Sequence, residues 1–273
     1  MRRGAAAPHP PRQEIALPEG HTLHLAAQRI MPLVGRRVVA RSHAPQAPRG
    51  LAAALDGHVL ESARARGKHL LLGFDDGRSL HSHLRMTGIW HVYATGQPWR
   101  RGVRSAWLEL GAEGTTAVQF GGPVLELLDR SQLALHPVLS RLGPDLLDEG
   151  AQIDVAVQRA RVRSPRLRAI GEVLLDQSVA AGIGNVVRCE ALHALRVDPW
   201  APLEGLSDST LAALLEESRR LLQAGVRSGG ALPRTIYGRR ICPRCGAAVQ
   251  RRGQGDQART LHWCAVCQPL QSG

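Results

Sequence analysis

Two short motifs, Cys242-Pro-Arg-Cys245 and Cys264-Ala-Val-Cys267, decide the C-terminal part of the fold. Each has the CxxC spacing of a metal-binding knuckle, and 18 residues separate Cys245 from Cys264. Four thiolates close a tetrahedral shell around a metal, which is typical of a structural zinc ion and not of a catalytic one. The spacing therefore predicts one structural Zn²⁺ in a terminal β-hairpin, with a redox-active CxxC pair as the alternative.

The charge of the chain is strongly positive. Its 273 residues include 35 Lys and Arg against 23 Asp and Glu, a formal net charge of +12. Such an excess favours a polyanionic partner, either a nucleic acid or an anionic membrane surface. No apolar run approaches the about 18 residues of a membrane span, and residues 1–17 lack a secretory apolar core. We therefore expect a cytoplasmic, nucleoid-associated protein with reduced cysteines.

Hydrophobic periodicity divides the chain into two regions. A helix is predicted from His21 to about Leu33, and short alternating segments typical of a β-sandwich or barrel follow it. Beyond a linker at Gly143-Pro144-Asp145, helices are predicted at residues 152–160, 166–180, 185–195 and 207–225, with Ser207 capping the last. The predicted strands are Val38–Val39, His69–Phe74, Ser79–Leu84, Ile89–Tyr93, Ala106–Leu110 and Ala117–Phe120.

Several residues stand out within these elements. Lys68 is the only lysine and Asn185 the only asparagine. An amine can give up a proton where a guanidinium cannot, so Lys68 is a candidate for proton transfer. Asn185 follows a Gly-rich turn at the start of a predicted helix, where backbone amides readily bind phosphate. His21 and His24 are interpreted as surface residues of a first helical turn, in preference to a metal-binding pair.

Five motifs in order give the chain a family resemblance. They are PEG at 18–20, GKHLLL at 67–72, SHLRMTG at 82–88, LLDQ at 174–177 with GIGN at 182–185, and RTLHWC at 259–264. Over residues 18 to about 268 the sequence resembles the formamidopyrimidine-DNA glycosylase and endonuclease VIII family. The resemblance implies an α+β multidomain fold. Its parts would be an N-terminal β-sandwich with flanking helices at 18–143, a helical helix–two-turn–helix domain at 144–230, and a C-terminal zinc-finger β-hairpin at 231–273.

The resemblance also implies an activity, that of a monomeric bifunctional DNA glycosylase and abasic-site lyase of base excision repair. Pro18 would attack the sugar, Glu19 would move protons, and Lys68 and Arg259 would act beside the DNA backbone. The partner would be damaged double-stranded DNA, bound between the two lobes. The residues expected to contact it are Asn185, Met86, Gly184, Tyr237, Arg251 and Arg252. Met86 keeps two interpretations: it fills the gap left by a flipped base, or it is a core residue.

The N-terminus departs from the family pattern. Family members begin Met-Pro-Glu-Gly and lose the methionine, whereas an internal Pro18 has an amide nitrogen without a nucleophilic lone pair. Residues 1–17 lack periodicity, which predicts either a disordered extension or a start codon assigned too far upstream. The codon for Leu17 is the expected true start, because leucine codons TTG and CTG also initiate bacterial translation.

Two sequence features bear on the substrate. Only about ten residues lie between the last predicted helix and Tyr237, where purine-specific members carry a longer loop. Residues 119–123, Gln-Phe-Gly-Gly-Pro, also lack the Arg-Arg-Phe-Gly wedge of those members. Both features favour the endonuclease VIII side, in its actinobacterial type, and oxidised pyrimidines. The alternatives are an oxidised-purine glycosylase and, if residues 1–17 are native, a non-catalytic protein that binds damaged DNA.

Overall fold

The computed structural model describes residues 18–269, so the predictions for residues 1–17 lie outside the described residues. The α-helices are α1 (Gly20–Ile30), α2 (Leu51–Leu55), α3 (Arg130–Ala134), α4 (Ile153–Arg163), α5 (Ile170–Val173), α6 (Asn185–Ala194) and α7 (Asp208–Arg227). The strands are β1 (Arg36–Arg37), β2 (Val39–Arg41), β3 (Val59–Arg66), β4 (His69–Phe74), β5 (Ser79–His83), β6 (Ile89–Ala94), β7 (Ala106–Ala112), β8 (Thr115–Phe120), β9 (Val124–Leu128), β10 (Gln250–Gln254) and β11 (Arg259–Trp263). In this part of the chain, no helix is both long and apolar enough to cross a bilayer.

Two antiparallel sheets form the N-terminal half. One has the strand order β1-β3-β4-β5-β9 and the other β2-β7-β8-β6. Their facing apolar side chains share one core with α1; Leu70 and Leu72 enter it from one sheet, Leu108 and Leu110 from the other, and Leu23 from the helix. Side chains alternate across a strand, so the alternating sequence buries one face of each sheet. The predicted β-sandwich is confirmed.

The C-terminal half is built around α6 and α7. Ser207 caps α7 by accepting a hydrogen bond from the Thr210 amide at 3.2 Å, as its sequence predicts. The apolar stripe of α7 packs on α6, and Leu261, Cys242 and Cys264 of the terminal hairpin belong to the same core. The hairpin is thus attached to the helical layer through buried side chains. The domain boundaries at 143/144 and 230/231 stay predictions.

The helix predicted at residues 166–180 is wrong. Only the four residues of α5 are helical there, and turns follow. Asp176 accepts hydrogen bonds from the amide and the hydroxyl of Ser178, at 2.9 and 2.7 Å. Such local side-chain bonds offer the backbone an alternative to the helix. The apolar spacing of this segment reflects burial of a turn and not helical periodicity.

Strands β3 and β9 were not predicted. In β3, a register shift between Leu60 and Ser62 interrupts the alternation of buried and exposed side chains. The charged residues along its outer face also make the sequence of β3 resemble that of a loop. β9 is the edge strand beside β5, and its register comes from that pairing and not from its own pattern.

A buried carboxylate, Asp145, ties the linker to the N-terminal half. It accepts hydrogen bonds from the amide of Gly67 at 2.6 Å, the amide of Leu147 at 3.0 Å and Nε2 of His24 at 3.0 Å. Gly67 adopts a left-handed φ of 58°, and a Cβ there would lie 2.8 Å from Cβ of Ala181. The turn that carries Lys68 is therefore held against the linker by one side chain.

Replacing Asp145 with alanine should destabilise the protein. The substitution leaves buried donors without an acceptor, which costs about 3 kcal/mol of unfolding free energy. The matched control is Asp148→Asn, because burial and the nearby Asp145 charge raise the pKa of the Asp148 carboxyl. We expect the control to be neutral or slightly stabilising in urea unfolding. Equal losses for the two variants would contradict this role of Asp145.

Candidate active site

The side chain of Glu19 lies at the N-terminus of α6. It is 1% exposed, and its carboxylate accepts hydrogen bonds from the amides of Val186 at 2.7 Å and Val187 at 3.3 Å. The first amides of a helix have no partner within the helix and carry a partial positive charge, so they bind a carboxylate well. Two motifs that are far apart in the sequence, PEG at 18–20 and GIGN at 182–185, thus meet at one point.

Glycines make this close approach sterically possible. A Cβ on Gly184 would lie 2.3 Å from Cδ of Glu19, and a Cβ on Gly20 would lie 2.8 Å from Cα of Gly182. The Gly20 amide also donates to the carbonyl of Gly182 at 2.9 Å. Any side chain at Gly20 or Gly184 would push the two segments apart and remove Glu19 from the helix.

Burial shifts the titration of both Glu19 and Lys68. Burial raises the pKa of Glu19, although the Lys68 charge and the amides of Val186, Val187 and Gly184 act to lower it. Burial lowers the pKa of Lys68 to about 8; the Glu19 charge opposes this change, and the charges of Arg259 and Arg188 add to it. A carboxyl with a raised pKa beside an amine with a lowered one is a pair suited to moving protons near neutral pH. Pro18, half-buried, immediately precedes Glu19.

The sole asparagine joins this pair to the terminal hairpin. Nδ2 of Asn185 donates to the carbonyl of Thr260 at 2.7 Å. Its Oδ1 accepts from the guanidinium of Arg188, which also bonds the carbonyls of Gly171 at 3.3 Å and Arg259 at 3.4 Å. The exposed side chain of Arg259 begins β11, and its charge contributes to the lowered pKa of Lys68. The structure thus brings Glu19, Lys68, Asn185 and Arg259 into one cluster.

Three other residues predicted to contact DNA, Tyr237, Arg251 and Arg252, lie outside this cluster. Tyr237 packs against His262 with ring centroids 4.6 Å apart. Burial raises the pKa of Tyr237, and its hydrogen bond with Asn185 opposes this change. Arg251 donates to the carbonyl of Arg239 at 3.1 Å, and Arg252 lies over the ring of Trp200. Both arginines therefore lie along the hairpin and not beside Glu19.

Met86 and His21 correct two expectations. Met86 is 61% exposed in the turn after β5, so its interpretation as a core residue is wrong. His21 is 2% exposed, and its Nε2 lies 3.2 Å from the carbonyl of Gly230, so its interpretation as a surface residue is also wrong. The surface prediction failed because α1 lies between the sandwich and α7, which covers both sides of its first turn.

The four predicted metal-binding cysteines come together. Sγ atoms of Cys242 and Cys267 are 3.9 Å apart, those of Cys245 and Cys264 are 3.4 Å apart, and all four lie within 4.8 Å of one another. Zn–S bonds of about 2.3 Å in a tetrahedron place sulfurs about 3.8 Å apart, so the spacing fits a bound metal. Cys189 is buried outside this cluster, as expected of a core residue.

Three polar residues at the site, the buried Arg188 and Glu190 and the half-buried His83, were missed by sequence reasoning. Arg188 is fully buried beneath Asn185, and nothing in an arginine-rich sequence distinguishes it. Glu190 accepts hydrogen bonds from the amides of Thr235, Ile236 and Tyr237 and so fixes the short loop before the hairpin. His83 lies in the SHLRMTG motif, and the charges of Lys68 and Arg259 reach it. Only tertiary proximity identifies these residues.

Comparisons with known proteins identify the relatives of this chain. The profile of the formamidopyrimidine-DNA glycosylase N-terminal domain matches residues 17–123, and that of the formamidopyrimidine-DNA glycosylase H2TH domain matches residues 142–235. A probable endonuclease 8 2 of Streptomyces coelicolor is 38% identical over 267 residues, which cover 92% of this chain and 94% of the relative. Endonuclease 8 1 of Mycobacterium tuberculosis is 33% identical over 286 residues, covering 92% and 100%.

A solved structure shares the fold. It is a complex of wild-type Lactococcus lactis Fpg with DNA containing N7-benzyl-Fapy-dG, and it superposes with a TM-score of 0.77 at 23% identity. The match covers 92% of this chain and all of the other chain, 100%. At this identity the likeness establishes the architecture alone.

Replacing Glu19 with glutamine should stabilise the folded protein at neutral pH. The raised pKa means that ionising Glu19 costs free energy in the folded state. The stabilising contribution of the protonated carboxyl is fully present below the unfolded pKa of 4.5, and it is lost as the pH rises through the folded-state pKa. We expect E19Q to melt a few degrees above the wild type at about pH 7.5. The difference should close toward pH 4.5. The exposed control E61Q should melt like the wild type at both pH values, and an E19Q that melts lower at neutral pH would contradict the argument.

Proposed function

Because the chain belongs to the formamidopyrimidine-DNA glycosylase and endonuclease 8 family of base excision repair glycosylases, we propose that it excises oxidised bases and nicks the strand with one active site. The observation that carries the proposal is the buried carboxylate of Glu19 at the N-terminus of α6, directly after Pro18 and within electrostatic reach of the half-buried Lys68. The partner is damaged double-stranded DNA.

Pro18 is the proposed nucleophile, as an N-terminal secondary amine. An α-amino group titrates near about 8, so a useful fraction is neutral at physiological pH. Its lone pair bonds to C1′ of the sugar while the glycosidic bond breaks, and the base leaves with that electron pair and a proton. The nitrogen then loses its N–H proton, and its lone pair breaks the C1′–O4′ bond while O4′ takes up a proton and the sugar ring opens. Because the nitrogen is secondary, the resulting iminium is cationic. It accepts the electron pair of the C2′–H bond when C2′ loses a proton, and the enamine so formed returns a pair that expels the 3′ phosphate.

Glu19 and Lys68 would move the protons in these steps. Glu19 is the proposed acid and base at the sugar, since burial raises its pKa above the ordinary value and so strengthens its hold on a proton. Lys68, whose pKa is lowered to about 8, would bind phosphate when charged and assist proton transfer when neutral. The chemistry requires Pro18 to carry a free amine, so the proposal concerns the chain that begins at that residue.

The remaining predicted residues would bind the DNA. Asn185 and Arg259 would hold the phosphates beside the lesion, with Gly184 allowing the backbone to approach closely. Met86 would fill the space that the flipped nucleotide leaves, which its exposure supports. The half-buried ring of Tyr237 and the exposed side chains of Arg251 and Arg252 would extend the contact along the hairpin.

We assign the four-cysteine cluster to a structural Zn²⁺. Its four thiolates leave no open coordination position, so the ion would take no part in the reaction. It would hold β10 and β11, and therefore Arg259, against α6.

The proposed lesion class is oxidised pyrimidines. The segment between α7 and Tyr237 is short, and Glu190 fixes its end through three backbone amides. A short, fixed loop leaves no long cap to cover an oxidised purine. The likeness to endonuclease 8 proteins supports the same assignment.

Borohydride trapping on duplex DNA with an abasic site tests the mechanism. We expect a covalent adduct from a chain that begins at Pro18 and none from the full 273-residue chain, where Pro18 is an amide. An adduct of equal yield from the full chain would identify another nucleophile. Tight binding without an adduct from the Pro18-first chain would favour the non-catalytic alternative.

Lesion-containing duplexes then test the substrate class. The Pro18-first chain should cleave thymine glycol duplexes faster than 8-oxoguanine duplexes under single-turnover conditions. The reverse preference would favour an oxidised-purine glycosylase and contradict the lesion assignment while leaving the mechanism intact.

Removing one cysteine of the cluster should abolish metal binding. We expect one zinc per chain in the wild type and loss of zinc in Cys245→Ser, with weaker DNA binding because the hairpin is no longer held. Cys189→Ala is the matched control, a cysteine outside the cluster, and should keep its zinc. Metal analysis that finds zinc in C245S would contradict the four-cysteine assignment.

A further inference from the structure

A chain of hydrogen-bonded side chains crosses the five-stranded sheet behind the cleft. We call His69, His81, Glu126 and His136 the histidine column. Nδ1 of His69 lies 2.8 Å from Nε2 of His81, and Nδ1 of His81 lies 2.8 Å from Oε1 of Glu126. The same oxygen lies 3.2 Å from Nε2 of His136. The Glu126 side chain is 43% exposed and those of the histidines are largely buried, so the column runs inward from the surface.

The bonding partners fix where each proton lies. Burial raises the pKa of the Glu126 carboxyl, but hydrogen bonds from His81 and His136 outweigh it and lower the pKa overall. Glu126 is thus a carboxylate that only accepts, so His81 donates through Nδ1. Nε2 of a neutral His81 must then accept, and His69 donates to it through Nδ1.

The positions of the protons on the histidine rings also argue against a metal site. The ligand atoms of His81, Glu126 and His136 lie within 4.8 Å of one another, as a metal would need. However, Nδ1 of His136 accepts from the amides of Val138 at 3.2 Å and Leu139 at 3.1 Å. The proton of a neutral His136 must therefore lie on Nε2, the atom that faces Glu126 and that a metal would require bare.

The inner end of the column contacts His83, a half-buried residue on which the charges of Lys68 and Arg259 act. The rings of His69 and His83 pack with centroids 4.7 Å apart, and the two residues pair across β4 and β5. Nδ1 of His83 accepts from the Arg85 amide at 3.1 Å, which leaves its Nε2 to donate. Burial lowers the pKa of His83 to about 4, with Arg85 and Lys68 adding to the effect, so the ring is neutral at physiological pH.

We propose that Glu126 is a positioning residue: through His81 and His69 it orients the ring of His83 in the DNA cleft. The Glu126 carboxylate accepts from His81 and so sets the tautomer of His81, which in turn sets that of His69. The ring of His83 packs against the ring of His69, which this bonding holds in place. Without that acceptor, His81 can donate in the other direction and the His69 ring is free to turn. This inference rests on the proposed DNA-binding cleft.

DNA binding by the full chain tests the proposal, because binding does not need the free amine of Pro18. We expect Glu126→Leu to weaken binding to a duplex with a tetrahydrofuran abasic-site analogue by about fivefold to tenfold. Glu126→Gln keeps an oxygen that accepts from both histidines and should restore binding to within about twofold of the wild type. His136→Asn keeps an acceptor for the two backbone amides and the His81–Glu126 bond, so it should also bind within about twofold.

Nitrogen-15 spectra of the histidine rings of the free protein give a second, independent measurement. The wild type, E126Q and H136N should show His69 and His81 protonated on Nδ1, and E126L should lose this signature for both. A purely structural effect of leucine would weaken binding and lower the melting temperature without changing the tautomers.

The outcomes separate this inference from the proposed function. E126L that binds like the wild type, or E126Q that binds as weakly as E126L, overturns the positioning role. A wild-type protein that carries the predicted tautomers but does not bind the abasic duplex overturns the DNA-binding proposal and leaves the column intact. Two metal ions per chain, with one lost in H136N, would show that the column is a metal site.

Discussion

The carboxylate of Glu19 at the first amides of α6 is the contact on which the site depends. It joins the segment that opens the sandwich to the helix that opens after the Gly-rich turn, and it does so in a space that admits no side chain at Gly184. The placement of Pro18 and of Asn185 follows from this contact, whereas Asp145 holds the turn that carries Lys68. Because a helix N-terminus is a preformed anion site, the carboxylate stays bound despite its burial.

The electrostatics of the cleft depend on the same burial. In a chain of net charge +12, the Lys68 charge acts on Glu19, and the charges of Arg259 and Arg188 act on Lys68. Desolvation nevertheless raises the pKa of the carboxyl, and it lowers that of the amine. The two groups thereby approach each other in proton affinity, which neither would do on the surface. Ionising the buried Glu19 lowers the free energy of unfolding, so the active site is less stable than an uncharged core would be.

The terminal hairpin belongs to the same arrangement. Asn185 bonds the carbonyl of Thr260, and Arg188 bonds that of Arg259, so α6 holds the hairpin through backbone atoms of β11. The four-cysteine cluster holds the other end, with Cys242 and Cys264 buried in the helical core. The position of Arg259 therefore depends on both the metal-binding cluster and the buried arginine.

The sequence by itself determined the elements whose chemistry is local. The cysteine spacing predicted the four-cysteine cluster, the alternation of apolar residues predicted most of the sandwich, and Ser207 predicted the start of α7, because each depends on residues that are close in the chain. The predicted helix at 166–180 failed where Asp176 bonds its own backbone, and β3 and β9 escaped notice because their register comes from neighbouring strands. Only the tertiary structure decided that His21 is buried, that Asp145 and Arg188 hold the site, and that four side chains form the histidine column. Their roles arise from desolvation and from partners that are far apart in the chain, and the spacing of residues along the sequence reveals neither.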